Sequence, residues 1–508
     1  MITGKNYIGN RLSGEGDKTH HTVNPKLNIE NPTEFVEATP EELEEAVSLS
    51  EKAFQTYKKI SGGKRAVFLN TIADEIDALG NELIQMYCAE SGLPEGRAAG
   101  ERGRTVFQLR AFAKMVRKDD WRQNVIDVGQ PDRNPSPKPD LRKTSIPLGP
   151  VVVFAASNFP LAFSTAGGDT ASALAAGCPV IIKSHAMHSG TGELVASAII
   201  KAVKKTGMPN GVFSNITGRG RTVGQALVKH PKIKAVGFTG SIAGGRALFD
   251  LAAQRNEPIP VFTEMGSINP VVITSNALDS RAEEIATQYA GSITLGTGQF
   301  CTKPGLILTV ESEWTQVFIK DLAKKTISIE AQCMLHPNIK DGYVENGNLV
   351  SQQKGVTVMG KIDTLLGENY AASQVNAVSG SDFISNPKMH SEVFGPFSLV
   401  VICKDEKELI SAINHLEGQL TGTIMAEESD KETLGEVVDA LQSRVGRIIF
   451  NGVPTGVEVS GAMTHGGPYP ASSDSRFTSV GLEAIKRWVR PFTYQGWPKE
   501  MLPDYLQD

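Results

Sequence analysis

The sequence predicts an α/β fold organised around a doubly wound parallel sheet. Three observations carry this. Between residues 149 and 265, five apolar runs alternate with four helical segments. The runs are apolar on both faces, as strands are when helices cover each side of a sheet. The connections are short, and each helix leads to another strand, which favours parallel neighbours joined by right-handed crossovers.

The elements follow in order. Residues 1–38 are polar and turn-rich. Thr39-Pro40-Glu41-Glu42 reads as a helix start, with Thr39 as N-cap, Pro40 in the first turn and Glu42 closing a capping box. Leu43, Val47, Phe54 and Tyr57 then share one face. Further helices are expected over 64–79 and 101–116. Residues 121–148 hold two short strands, 125–128 and 141–146, joined by a connection containing Pro131, Pro135, Pro137 and Pro139. The regular region follows: strands at 150–156, 179–183, 212–216, 235–239 and 260–264, with helices at 166–176, 191–204, 222–230 and 242–253. A second α/β stretch has strands near 269–274, 306–310, 399–402 and 447–451, and helices near 280–295, 314–327 and 406–415. The tail, 488–495, alternates like a strand with no obvious partner nearby.

Composition removes several functions. The formal charge of −5 gives no reason to expect nucleic acid or an anionic membrane. No apolar run approaches the length of a membrane span, and the first residues lack a signal-peptide core. Five widely spaced cysteines form no Cys-x-x-Cys pair, and the nine histidines show no metal-ligand spacing. A cytoplasmic enzyme without a metal site is expected.

Candidate site residues cluster at predicted strand ends, where parallel sheets bind ligands. Asn158 follows the first strand, Lys183 the second, and Glu264 ends the fifth. Gly218-Arg219-Gly220-Arg221-Thr222-Val223-Gly224 is a near miss to a dinucleotide fingerprint, read either as a phosphate loop or as a plain turn. Gly240-Ser241-Ile242-Ala243-Gly244-Gly245 opens a helix, so Ser241 is either an N-cap or part of an anion site. Cys301, in Gly298-Gln299-Phe300-Cys301, sits on a loop that suits a nucleophile, although buried structural thiols are common.

These residues resemble the aldehyde dehydrogenase superfamily along nearly the whole chain. The carriers are Ser157-Asn158-Phe159-Pro160, Phe238-Thr239-Gly240-Ser241 with Gly245, Glu264-Met265-Gly266, Gly298-Gln299-Phe300-Cys301, Glu392-Val393-Phe394-Gly395-Pro396 and Asn451. The resemblance implies a cofactor domain (1–120 and 149–265), a catalytic domain (266–463) and a small β arm (121–148 and 464–508). That arm would make a homodimer or homotetramer and give the tail strand a partner in another subunit.

The resemblance also implies roles. Cys301 would be the nucleophile, Asn158 part of the oxyanion hole and Glu264 the general base. Helix N-termini and a cationic nicotinamide would help the thiol to ionise. Gly240, Ser241 and Gly245 would meet the cofactor pyrophosphate, Glu392 and Phe394 the nicotinamide end, and Lys183 the adenine ribose. Ala186 stands where NAD-specific relatives carry a glutamate, so NADP is expected over NAD, with Arg219 on the 2′-phosphate. Thr263-Glu264-Met265-Gly266-Ser267 and His465-Gly466-Gly467-Pro468 resemble the subgroup that oxidises 2,5-dioxopentanoate; a fatty aldehyde dehydrogenase of luminous bacteria is similar. Phe163 would wall the substrate tunnel. Arg110, the odd residue on an otherwise apolar face of the segment 103–110, is the candidate anchor for a substrate carboxylate.

Overall fold

The computed structural model describes residues 2–364 and 367–507; Met1 and Asp508, which bound the outermost predicted segments, lie outside it with Leu365 and Leu366. The expected doubly wound sheet is present. Its strands run in the order Val261–Glu264, Ala235–Thr239, Val151–Phe154, Val180–Lys183, Phe213–Ile216, Asn6–Ile8, Arg11–Ser13. The pairs among the first five are parallel. From Val151–Phe154 the chain winds first towards Phe213–Ile216, then returns to the other side at Ala235–Thr239. The reversal opens a crevice between the carboxyl ends of these neighbours, the usual ligand position in such sheets. Asn158 and Ser241 follow the two strands that flank it.

A second sheet of seven strands has the order Thr357–Lys361, Gln374–Ser379, Phe397–Cys403, Leu306–Val310, Pro270–Ile273, Gln419–Met425, Val445–Phe450. All of its pairs are parallel except the one made by the edge strand Thr357–Lys361. Val271, Ile307 and Val400 on one face, and Val272, Leu308 and Val401 on the other, lie in separate buried clusters. Both faces are therefore covered.

Several expectations are corrected or filled in. Residues 1–38 hold four strands, Asn6–Ile8, Arg11–Ser13, Thr19–Asn24 and Ile29–Val36, because edge hairpins need little apolar sequence. The tail strand Val489–Gln495 pairs antiparallel with Leu141–Pro147 of the same chain, so it has a partner within its own subunit as well as one open edge. Within 464–508, residues up to Trp488 return to the first sheet: the Ser473 hydroxyl donates to the Val261 carbonyl (2.5 Å) and the Trp488 indole to the Ser172 hydroxyl (2.8 Å). The expected helix at 222–230 is a π-helical turn, Gly220–Gly224, followed by the short helix Gln225–Lys229. Gly218 enters that turn at φ +153°, with Val223 Cγ2 only 2.4 Å from where a Cβ would stand. The capping box at Thr39 and Glu42 forms as predicted, opening the helix Pro40–Tyr57.

Candidate active site

Cys301 follows a tight loop that is set by backbone conformation. Gly296, Thr297 and Gly298 all take positive φ. At Gly298 a side chain is impossible, since a Cβ would stand 2.3 Å from the Gly395 carbonyl oxygen. Asn269, itself at φ +49°, braces the loop: its amide donates to the carbonyls of Cys301 and Lys303, each at 2.9 Å. The Ser267 and Thr421 hydroxyls fix the other end of that amide. The nucleophile candidate is thus held by the start of the second sheet.

Glu264 ends its strand beside Thr239 and is 2 % exposed. Its two oxygens are separately engaged. Oε1 lies 2.8 Å from His465 Nε2, and Oε2 accepts from the Ser479 hydroxyl at 2.7 Å. His465 is completely buried, and its Nε2 also lies 3.4 Å from Cys301 Sγ. The ligand atoms of Glu264, His465 and Cys301 all fall within 4.8 Å of one another. Spacing along the chain gave no warning of this cluster. His465 was legible only as part of a motif, and no role followed from it.

The electrostatics separate the two titrating groups. Burial pushes the Glu264 carboxyl up, but the His465 imidazole, the Ser479 hydroxyl and the Cys301 thiol outweigh it and hold the group below the usual carboxylate range. Burial pushes the Cys301 thiol well above its ordinary value, and the Glu264 and Glu392 carboxylates add to the rise. The expectation that helix N-termini would lower it is not met by the protein alone. The pair is an ionised carboxylate beside a protonated thiol.

Two cavities meet at Cys301. One, of about 300 Å³, is lined by Asn158, Gly240, Ser241, Glu264, Glu392 and Phe394, among others. The other, of about 280 Å³, is lined by Arg97, Glu101, Arg104, Phe159, Phe163 and Phe300, with Gly456 and Val457 closing one side. Among the described residues, Cys301 alone lines both. Asn158 is tethered close by, its amide donating to the Gln299 carbonyl at 3.2 Å.

The first cavity fits a dinucleotide. Ser241 caps the helix Ile242–Ala253, so backbone N–H groups at its start face the crevice. Gly245 lies under that turn, where a Cβ would meet Met265 Sδ at 2.6 Å. Gly266 leaves room for Glu392, whose Oε2 lies 2.5 Å from where a Cβ would stand. Burial pushes the Glu392 carboxyl up, against the opposing charge of Lys303. Lys183 is buried at the carboxyl end of its strand, and burial lowers its ammonium to about 8. Arg219 is largely exposed and lies 3.4 Å from Glu37.

Arg110 does not join the site. It points outward and pairs with Asp74 (3.0 Å) and Asp77 (3.3 Å) on the helix Gly62–Asp77. The helix Glu95–Val116 instead turns Arg97 and Arg104 towards the second cavity, and their seven-residue spacing keeps them on one face. Arg97 lies over the rings of both Phe159 and Phe300, 4.5 Å from each centroid. Arg104 donates from Nη1 to the Val457 carbonyl, while its Nε and Nη2 are buried without an acceptor.

The profile of the aldehyde dehydrogenase family matches residues 12–485. The chain belongs to the aldehyde dehydrogenase family. As a family member it is an enzyme acting on aldehydes with a nicotinamide cofactor. It is 47 % identical to the alpha-ketoglutaric semialdehyde dehydrogenase 2 of Azospirillum brasilense, covering 100 % of this chain and 97 % of that protein. It is 44 % identical to the alpha-ketoglutaric semialdehyde dehydrogenase of Acinetobacter baylyi, covering 99 % and 96 %. A betaine aldehyde dehydrogenase from Staphylococcus aureus, solved with NAD+, shares the aldehyde dehydrogenase fold at a TM-score of 0.84 and 20 % identity, covering 97 % of this chain and 95 % of that one. No helix among the described residues is long and apolar enough to cross a membrane.

Proposed function

We propose that this aldehyde dehydrogenase oxidises 2,5-dioxopentanoate to 2-oxoglutarate with NADP. The observation that carries the chemistry is the place of Cys301, the residue common to an aldehyde cavity and a cofactor crevice. The Cys301 thiol loses its proton to solvent water as its sulfur attacks the aldehyde carbon, which leaves Glu264 ionised for the later step. The Asn158 amide and the Cys301 backbone N–H stabilise the oxyanion of the thiohemiacetal. NADP, when bound, would supply the hydride acceptor that turns the thiohemiacetal into a thioester on Cys301. Glu264 then takes a proton from the attacking water, and His465 holds that carboxylate ionised and aimed.

The substrate reading is supported by Arg97 and Arg104. A carboxylate entering an enclosed cavity needs a cation, and the unpaired edge of Arg104 offers the donor fork that a carboxylate matches. The names of the two relatives quoted above support the same reading. Phe159, Phe163 and Phe300 favour a second reading, an apolar medium- or long-chain aldehyde. NADP is supported by Ala186, which places no carboxylate three residues after Lys183, and by the guanidinium of Arg219. A homodimer or homotetramer is supported by Val489–Gln495, an edge strand whose residues are mostly exposed. The cytoplasm is the proposed compartment, since the cysteines are all free.

The deciding measurement compares kcat/KM for 2,5-dioxopentanoate, hexanal and decanal with NADP, for the wild type and Cys301→Ala. Preference for the dioxo acid is expected, with no turnover by the variant and its cofactor binding intact. A preference for decanal would establish the apolar reading, and wild-type turnover by Cys301→Ala would end the mechanism.

A further inference from the structure

The local sequence after Lys183 carries no carboxylate, yet the fold supplies one. Glu37 follows the strand Ile29–Val36 and is 7 % exposed. The backbone there crosses the carboxyl ends of the first sheet: the Ala38 N–H donates to the Thr217 carbonyl at 3.0 Å, just beyond Phe213–Ile216. This brings Glu37 within electrostatic reach of Lys183, at the end of the neighbouring strand, whose charge it favours, with Arg219 Nε 3.4 Å from Glu37 Oε1. His20 approaches the same carboxylate from the strand Thr19–Asn24. Two basic side chains and one carboxylate therefore share the place where the adenine ribose would lie.

From this juxtaposition we infer that Glu37 sets the choice between NAD and NADP, by competing with a ribose 2′-phosphate for Arg219 and Lys183. The inference rests on the cofactor reading above. With NAD, the carboxylate can accept hydrogen bonds from the ribose hydroxyls while still holding Arg219. With NADP, the phosphate must take Arg219 from Glu37 and sit near its negative charge. Glu37 thus limits a preference that Lys183 and Arg219 would otherwise make larger. It fills, from an N-terminal strand, the role that residue 186 leaves vacant. A sequence scan around Lys183 cannot find it, because it is contributed by a distant segment.

The test is equilibrium binding of NADP and NAD to the full-length protein, followed by quenching of tryptophan fluorescence, for the wild type, Glu37→Gln and Glu37→Gln/Arg219→Ala. Glu37→Gln should raise the ratio of NADP to NAD affinity about tenfold, equivalent to roughly 1.4 kcal/mol. The gain should come from tighter NADP and weaker NAD, and the double variant should lose it. Glu37→Asp, which keeps the charge, serves as a folding control and should stay near the wild-type ratio. If both cofactors bind and Glu37→Gln leaves the ratio within twofold of wild type, Glu37 does not read the ribose. If the wild type binds neither cofactor, the cofactor reading falls and this inference falls with it.

Discussion

His465→Leu tests the catalytic cluster most directly. His465 is fully buried, and its side chain touches Glu264 at 2.8 Å and Cys301 at 3.4 Å. Its Nδ1 has no partner, so leucine of similar bulk removes those contacts and no other side-chain hydrogen bond among the described residues. Glu264 would keep the Ser479 hydroxyl at 2.7 Å and the Cys301 thiol. A hydrogen bond to an ionised group stabilises it by about 1.5–3 kcal/mol. Its loss lowers the ionised fraction at a fixed acidic pH by roughly 10- to 150-fold. The sign follows from burial: without the imidazole, the desolvation that already pushes this carboxyl up is no longer outweighed, so the variant protonates at higher pH than the wild type. The assay is kcat as a function of pH, with rapid mixing at pH 6. The variant should lose activity on the acid side by at least about tenfold and converge with the wild type on the alkaline side. At pH 6 it should show a burst of about one reduced cofactor per site before the slow phase, because thioester hydrolysis is then limiting. An acid limb superimposable on that of the wild type would refute the assignment of His465 as the group that holds Glu264 ionised.

Other outcomes follow from the same geometry. Glu264→Gln should give a burst of about one reduced cofactor per site and then near silence; loss of the burst itself would mean that the carboxylate is also required to take the thiol proton. Arg104→Leu should lower kcat/KM for 2,5-dioxopentanoate by about 2–3 kcal/mol and leave hexanal unchanged or improved, whereas Arg110→Leu should leave both alone. An equal loss on both aldehydes would assign Arg104 to the fold. Lys183 is charged below about pH 8 and neutral above it, so the KM for NADP should rise as pH passes 8 and more steeply than the KM for NAD. Parallel profiles would remove Lys183 from the phosphate.

The parts of this molecule that the sequence disclosed are those governed by local rules. The capping box at Thr39, the apolar strands and the short helix starts each depend on neighbours a few residues apart. Asn158, Ser241 and Glu264 could be placed at strand ends because strand ends are read from where an apolar run stops. The failures all involve long-range packing. Gln374–Ser379 and Gln419–Met425 were missed, since glutamine, threonine and serine interrupt their apolar character although nearly all of their residues are buried. Arg110 stands out in the sequence on an otherwise apolar helix face, but Asp74 and Asp77 of another helix account for it. Arg97 and Arg104 were passed over because nothing in their own segment shows that their face of the helix meets Cys301. His465 and Glu37 act through partners supplied by distant segments, and only the folded chain brings them together.

The separation of the two cavities by a single sulfur makes the enzyme modular. The aldehyde side is walled by one helix, Glu95–Val116, by Phe159, Phe163 and Phe300, and by the loop at Gly456 and Val457. The opposite side is built from strand ends and from the segment around Glu392. Among the described residues Cys301 is the one that lines both walls, so variants far from Asn158–Phe159 and from the Phe163–His465–Glu264 contact should combine with nearly additive free energies. Substrate range can therefore drift through the helix and its loop while the redox half of the protein stays fixed, and a chain of this design can acquire a new aldehyde without having to rebuild its cofactor site.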